Sequence, residues 1–268
     1  VDLLVIPKST AEQSLWDRFW HGKDLAWQRI PLASSELRWD SLYYYEYGSL
    51  QAAEPKYELL SKHYNSEQIK AKHYLQKKYF LFGSDRFGRD MFSRLVLGAR
   101  VSFSVGFLAV FISLIIGIPL GAIAAYYGGW VDKLIQWLIN VVWSIPGLLL
   151  VIAITLALGK GLWQVYVAIG FTMWVEVARV IRGQILSIKE KEYVQAAKVL
   201  AYSDARIIFK HILPNAIAPL IVISAANFAA AILVESGLSF LGLGAQPPTP
   251  TWGTMIKDHY AYLIVDKA

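Results

Sequence analysis

The sequence predicts an all-α membrane protein that crosses the bilayer several times. Of its 268 residues, 56% are hydrophobic, and the mean hydropathy is +0.40. Charge is absent over long stretches, with none between Arg100 and Asp132, Lys133 and Lys160, Lys160 and Glu176, or His211 and Glu235. Each stretch is long enough, or nearly so, to cross a hydrocarbon core that needs about 20 apolar residues. Between two of these stretches lies a polar island, residues 189–214. The formal charge of +6 suits a membrane protein with basic loops on its cytoplasmic side. No basic stripe interleaved with aromatics points to nucleic acid. With no cysteine, disulfides and thiolate metal sites are excluded. The chain begins at Val1 without a signal-peptide pattern and is expected to be a fragment.

Residues 1–80 are polar and rich in aromatics, among them Trp16, Trp20, Trp27, Trp39 and the cluster Tyr43, Tyr44, Tyr45, Tyr47. They read either as a docking surface for a soluble partner or as a small folded insertion whose aromatics pack on one another. A helix is expected from Ser66 to Phe80, with Ser66 as its cap and Glu67 at its start. In residues 81–100, Gly83 and Gly88 bracket a turn in which Asp85 can accept backbone donors. After Asp90, the residues Met91, Leu95 and Val96 share one face of an amphipathic, interfacial segment.

Residues 101–268 form the membrane core. The first span, about 101–127, contains Gly117 and Gly121, a spacing that lets helices approach closely. The second, about 134–158, is interrupted by Ser144-Ile145-Pro146-Gly147, which should kink or unwind it. Such a break, through Ser144 and Pro146, either lines a pathway or is a kink repaired by its neighbours. The third, about 162–182, carries Glu176 and Arg179 near its end, expected as an interfacial ion pair. The fourth, about 215–234, is small and polar through Ser224, Asn227 and several alanines, so it belongs against helices or a pore. Residues 236–256, broken by glycines and prolines, form a hairpin rather than a span.

The island reads as two short helices joined by a turn. Tyr193, Ala196, Ala197 and Leu200 recur at helical spacing. Ser203 or Asp204 is placed to cap a second helix, Ala205 to Leu213. Basic residues gather around it, including Arg179, Arg182, Lys189, Lys198 and Lys210, which favours the cytoplasmic side. It looks built to fit a groove on another protein.

Three motifs resemble the permease subunits of binding-protein-dependent ABC importers of the dipeptide/oligopeptide/nickel type. In the island, Gln195-Ala196-Ala197, Ala201 and Leu213-Pro214 align with Glu-Ala-Ala, Gly and Leu-Pro of the family's coupling loop. The match before the first span includes Gly83, Ser84, Asp85, Gly88, Arg89, Asp90, Ser93, Arg94, Gly98 and Arg100. Gly237 through Gly253 is similar to an extracytoplasmic hairpin of the same subfamily. The resemblance implies an ABC type I importer transmembrane-domain fold with an extracytoplasmic N-terminal insertion, lacking the family's first and last spanning helices. It further implies half of a pathway for short peptides, with nickel uptake as the alternative within the family. Expected partners are a second homologous permease subunit, two ATPase subunits, an extracytoplasmic substrate-binding protein and the lipid membrane. The residues expected to couple to the ATPase are Glu192, Gln195, Ala196, Ala197, Ala201 and Asp204.

The sequence has no phosphate-binding Gly-x-x-x-x-Gly-Lys-Ser/Thr loop, so ATP hydrolysis is expected on a separate subunit. Neither a catalytic constellation nor a cofactor or metal site is expected. A reading of a different class, an ion-driven transporter or channel component, would need Glu176 or Glu235 to carry a proton.

Overall fold

The computed structural model describes residues 2–7, 27–39, 41–46, 55–70, 72, 74–85, 87–159, 161–246 and 249–265. Trp16, Trp20, Tyr47, Pro247 and Pro248 lie outside the described residues. The chain forms two compact units that divide between Arg100 and Val101.

In the first unit, β1 (Asp2–Pro7), β2 (Trp27–Arg38), β3 (Ser41–Glu46), β4 (Lys56–Leu59) and β5 (Leu75–Lys77) pair antiparallel in the order β4-β3-β2-β1-β5. The sequence reading did not foresee this sheet. Its signal is short: Leu42 and Tyr44 are buried while Tyr43 and Tyr45 are not, a two-residue alternation confined to one strand. Leu4, Ile6, Leu32, Leu42, Tyr44, Leu60 and Tyr74 form the core. Tyr43 packs on Tyr57 and Tyr64 on Tyr74, so described aromatics do pack on one another.

The helix expected over Ser66–Phe80 is confined to α1 (Ser66–Lys70), because Leu75–Lys77 is taken by the sheet. Its cap is Asn65 rather than Ser66. Asn65 Oδ1 accepts from the Gln68 amide at 2.8 Å while Gln68 Oε1 accepts from the Asn65 amide at 3.1 Å, a reciprocal capping box.

Helix α2 (Met91–Tyr127) joins the amphipathic segment and the first span without interruption. The second unit continues with α3 (Gly129–Trp143), α4 (Gly147–Leu158), α5 (Leu162–Ile188) and α6 (Glu192–Val199). Helix α7 (Asp204–Arg206) passes through π-helical turns at Ile207–Ile212 into α8 (Leu213–Phe240), and α9 (Trp252–Val265) comes last. Among the described residues, Met91–Tyr127, Leu162–Ile188 and Asp204–Phe240 are long and apolar enough to cross a membrane, and α3 with α4 makes a fourth if counted as one bent span.

Helices α2 and α5 meet through glycine. A Cβ on Gly117 would lie 2.7 Å from the Trp174 carbonyl oxygen, and one on Gly121 would collide with Ile181 and the Ala178 backbone. The approach is therefore backbone to backbone, as the small-residue spacing predicts. Helices α3 and α4 diverge by 88° at Ser144–Pro146, so the second span is broken outright rather than kinked. Pro146 cannot donate to the helical ladder, and α4 begins afresh at Gly147.

Candidate functional site

The island is a braced loop. In α6 only Val194 and Ala197 turn inward, while Glu192, Tyr193, Gln195, Ala196 and Leu200 are exposed. Thus the expected apolar face, Tyr193-Ala196-Leu200, points outward, and Ala197 belongs to the protein's own core. Helix α6 ends in a Schellman motif, with the Tyr202 amide donating to the Ala197 carbonyl at 3.2 Å and the Ala201 amide to the Lys198 carbonyl at 2.9 Å. Ala201 consequently takes the left-handed backbone, φ 55°. The same motif closes α8, where Gly242 holds that position at φ 79°.

Ser203, in extended conformation, precedes α7, but neither it nor Asp204 makes a side-chain cap. The Asp204 carboxylate instead accepts a hydrogen bond from the Tyr126 hydroxyl at 2.6 Å, tying the loop to the end of α2. Two further ties lie beside it. Lys189 Nζ donates to the Ala125 carbonyl at 3.0 Å, and Arg182 grips Asp132 through two bonds of 2.7 and 2.6 Å. Below them Val194, Ala197, Ile207, Ile208 and Ile212 share one core with Ala122, Ala125, Val177, Ile181 and Ile185. The exposed surface is mixed: Val199 is 86% exposed and Leu200 64%, among the exposed Glu192, Gln195, Lys198 and Arg206, while Phe209, 71% exposed, borders a groove with Pro119 and Tyr127 of α2. That Tyr193, Ala196 and Leu200 face outward was not legible in sequence, since a period of 3.6 marks a face without saying which way it points.

The pathway candidates do not converge. Pro146 borders a cavity of about 320 Å³ at the α3–α4 break, with Glu176, Thr172 and Met173 of α5 and Val234 of α8. Ser144 is exposed beside it, its hydroxyl bonded back to the Val141 carbonyl at 2.7 Å. Ser224 and Asn227 lie elsewhere on α8. Asn227 is buried, with its amide nitrogen unpartnered among the described residues. The expected Glu176–Arg179 pair does not form; the Arg179 guanidinium lies over the Trp143 ring at 3.6 Å.

The second motif is a clamp. The Asp85 carboxylate accepts from the Phe87 amide at 2.8 Å, the Arg89 amide at 2.9 Å, Arg89 Nε at 2.7 Å and the Arg94 guanidinium. Burial pushes this carboxyl up, but the Arg89 backbone and guanidinium and the Phe87 amide outweigh it and hold it below the usual carboxylate range. Gly88 supplies a left-handed turn at φ 69°, and Asp90 accepts the Phe92 amide at 3.2 Å at the start of α2.

The third motif encloses Glu235, which is fully buried. Its carboxyl oxygens accept from Ser239 Oγ at 2.6 Å and Ser102 Oγ at 3.4 Å. Ser102 Oγ in turn accepts the Trp252 amide at 3.4 Å, and Thr251 Oγ1, which accepts the Thr254 amide at 3.2 Å, donates to Ser239 Oγ at 3.4 Å. The first-turn amides of α9 thus reach the carboxyl through hydroxyl relays, aligning the positive end of that helix with it.

Spanning helices joined to a braced, outward-facing loop define a multi-pass membrane component. The chain belongs to the family of binding-protein-dependent transport system inner membrane components, whose profile matches residues 117–265. It is 46% identical over 182 residues to the dipeptide transport system permease protein of Alkalihalophilus pseudofirmus, covering 68% of this chain and 60% of that one. It is 40% identical over 177 residues to the oligopeptide transport system permease protein of Bacillus subtilis, covering 66% and 58%. Over 183 residues it is 37% identical to the glutathione transport system permease protein of Pectobacterium atrosepticum, covering 68% and 61%. The chain therefore spans about three fifths of the length of these curated relatives. The inward-facing MetNI methionine ABC transporter superposes with a TM-score of 0.56 at 19% identity, covering 66% of this chain and 85% of that one. The fold is that of an ABC importer transmembrane domain, as the motifs imply.

Proposed function

We propose that this chain is a permease subunit of an ATP-driven importer, forming half of a transmembrane pathway for short peptides. It works with a second permease subunit, two ATPase subunits that hydrolyse ATP, and an extracytoplasmic binding protein that delivers substrate. The island lies on the cytoplasmic side against the ATPase, and residues 1–100 lie on the opposite side.

The observation that carries this reading is the two-sided construction of the island. Its inner face shares a core with the spans and is pinned at Asp204 and Lys189. Its outer face leaves Ala196, Val199 and Leu200 of one helix end uncovered among charged residues. A loop rigidly joined to α5 and α8 transmits a push as rigid-body motion instead of absorbing it. Because α7 runs through π-helical turns into α8, displacement at Asp204 is carried directly into a spanning helix. Among named relatives, the dipeptide, oligopeptide and glutathione permeases support peptides as the substrate class.

The test is copurification of the ATPase from membranes. Leu200→Asp places a charge in the uncovered patch, where docking would have to desolvate it, and is expected to reduce recovered ATPase about tenfold or more. Recovery equal to that of the unsubstituted protein contradicts docking on this face.

A further inference from the structure

Glu235 is completely buried, and so are the hydroxyls about it, Ser102 of α2, Ser239 of α8 and Thr251 just before α9. The role proposed for the island leaves this node unused. Among the described residues Glu235 has no ion pair; its partners are hydroxyls. Bond lengths divide the node in two. Within α8, Ser239 Oγ donates to the carboxyl at 2.6 Å. Between elements the bonds are 3.4 Å: Ser102 Oγ to Glu235, the Trp252 amide to Ser102 Oγ, and Thr251 Oγ1 to Ser239 Oγ. Such lengths lie beyond the usual range, so each link is weak. The Asp85 clamp is the contrast, a buried carboxylate fastened by short bonds from two backbone amides and a guanidinium.

The packing divides in the same way. A Cβ on Gly244 would lie 2.8 Å from Ser239 Cα, and one on Gly253 2.6 Å from Ser236 Cα. The turn and the start of α9 therefore rest backbone to backbone on the end of α8. The Leu243 and Gly244 amides close that turn on the Leu238 carbonyl at 2.9 and 3.2 Å. These parts form one body. Helix α2 meets it through side chains. The Phe103 and Trp252 rings meet edge to face at 5.5 Å, and Gly106 lies under the Phe228 ring. Across the same seam the Ser102 hydroxyl joins Glu235 of α8 to the first amide of α9. Side-chain contacts part by rotation about single bonds, whereas glycine contacts between backbones part only when a helix is displaced. Opening the seam exchanges long hydrogen bonds for water around a carboxyl and a hydroxyl that are costly to bury. The hydrogen bonds therefore oppose opening only weakly, and a modest bias from elsewhere can shift the equilibrium.

We propose that Glu235 and Ser102 form a releasable latch between α2 and the body made by the end of α8, the turn and the start of α9. The latch is closed in this structure and opens in one nucleotide state of the assembled transporter. The inference rests on the importer reading and names within it a contact that parts.

The test again uses the absence of native cysteine. Ser102→Cys places a thiol under the seam, and Ser113→Cys, equally buried further along α2, is the reference. Labelling by N-ethylmaleimide is followed in membranes holding the assembled transporter, with and without a non-hydrolysable ATP analogue. The rate at position 102 is expected to differ about tenfold or more between the two conditions, the scale of one or two net hydrogen bonds, while position 113 stays unreactive in both. Glu235→Ala added to Ser102→Cys is expected to give fast labelling in both conditions. Added to Ser113→Cys, it leaves the thiol unreactive, which shows that the helices still pack. Equal labelling at position 102 with and without the analogue overturns the latch. So does a matching rise at position 113, which marks general loosening. ATPase copurification is scored on the same preparation. If the ATPase is missing, the importer reading falls; if it is present and labelling ignores nucleotide, only the latch falls.

Discussion

At Ala201 a side chain sits where the family pattern has glycine. The Schellman geometry at the end of α6 requires the left-handed backbone, and an alanine Cβ strains there. Ala201→Gly is therefore expected to stabilise the loop by about 1 kcal/mol, read as slower amide exchange at Tyr202 and Ala201. The alignment of Ala201 with that glycine was legible in sequence; its cause, a helix terminus, needed the hydrogen-bond pattern. Ala196 and Ala197 show the limit of such reading, since two adjacent alanines of one motif face opposite ways. At Asp85 the clamp predicts acid sensitivity. Its folded-state pKa lies below the ordinary value, so its contribution is present in full above about pH 4 and is lost as pH falls through the depressed value. Acid unfolding followed by near-UV circular dichroism should show a low-pH transition that Asp85→Asn removes, at the expense of stability at neutral pH.

The elements explain where the sequence misled. The third span reads in sequence as about 162–182, with Glu176 and Arg179 near its end. Within the fold Arg182 is neutralised by Asp132 of α3, and the helix continues to Ile188. The sheet of the first unit escaped notice because its two-residue alternation is clear only over Ser41–Glu46, whereas the uncharged spans announce themselves by composition alone. The glycine spacing in α2 was legible, and the contact it permits is unforgiving. Gly121→Leu drives a side chain into Ile181 and the Ala178 backbone. It is expected to cost about 3 kcal/mol or more, read as a lowered melting temperature of the detergent-solubilised protein with helical content retained below the transition.

For the whole molecule, the proposed role requires that contacts between the island and an ATPase differ between nucleotide states. The core beneath it and the ties at Tyr126 and Ala125 make it a stiff extension of the spans, so a changed contact outside becomes a changed helix position inside. The most direct measurement exploits the absence of native cysteine. A single cysteine at Ala196, on the exposed side of α6, is paired with a cysteine-bearing ATPase subunit in membranes, with and without nucleotide. The account predicts a crosslink whose yield changes with nucleotide. A thiol at position 196 that reacts freely with soluble reagents yet captures no ATPase in either state would contradict it.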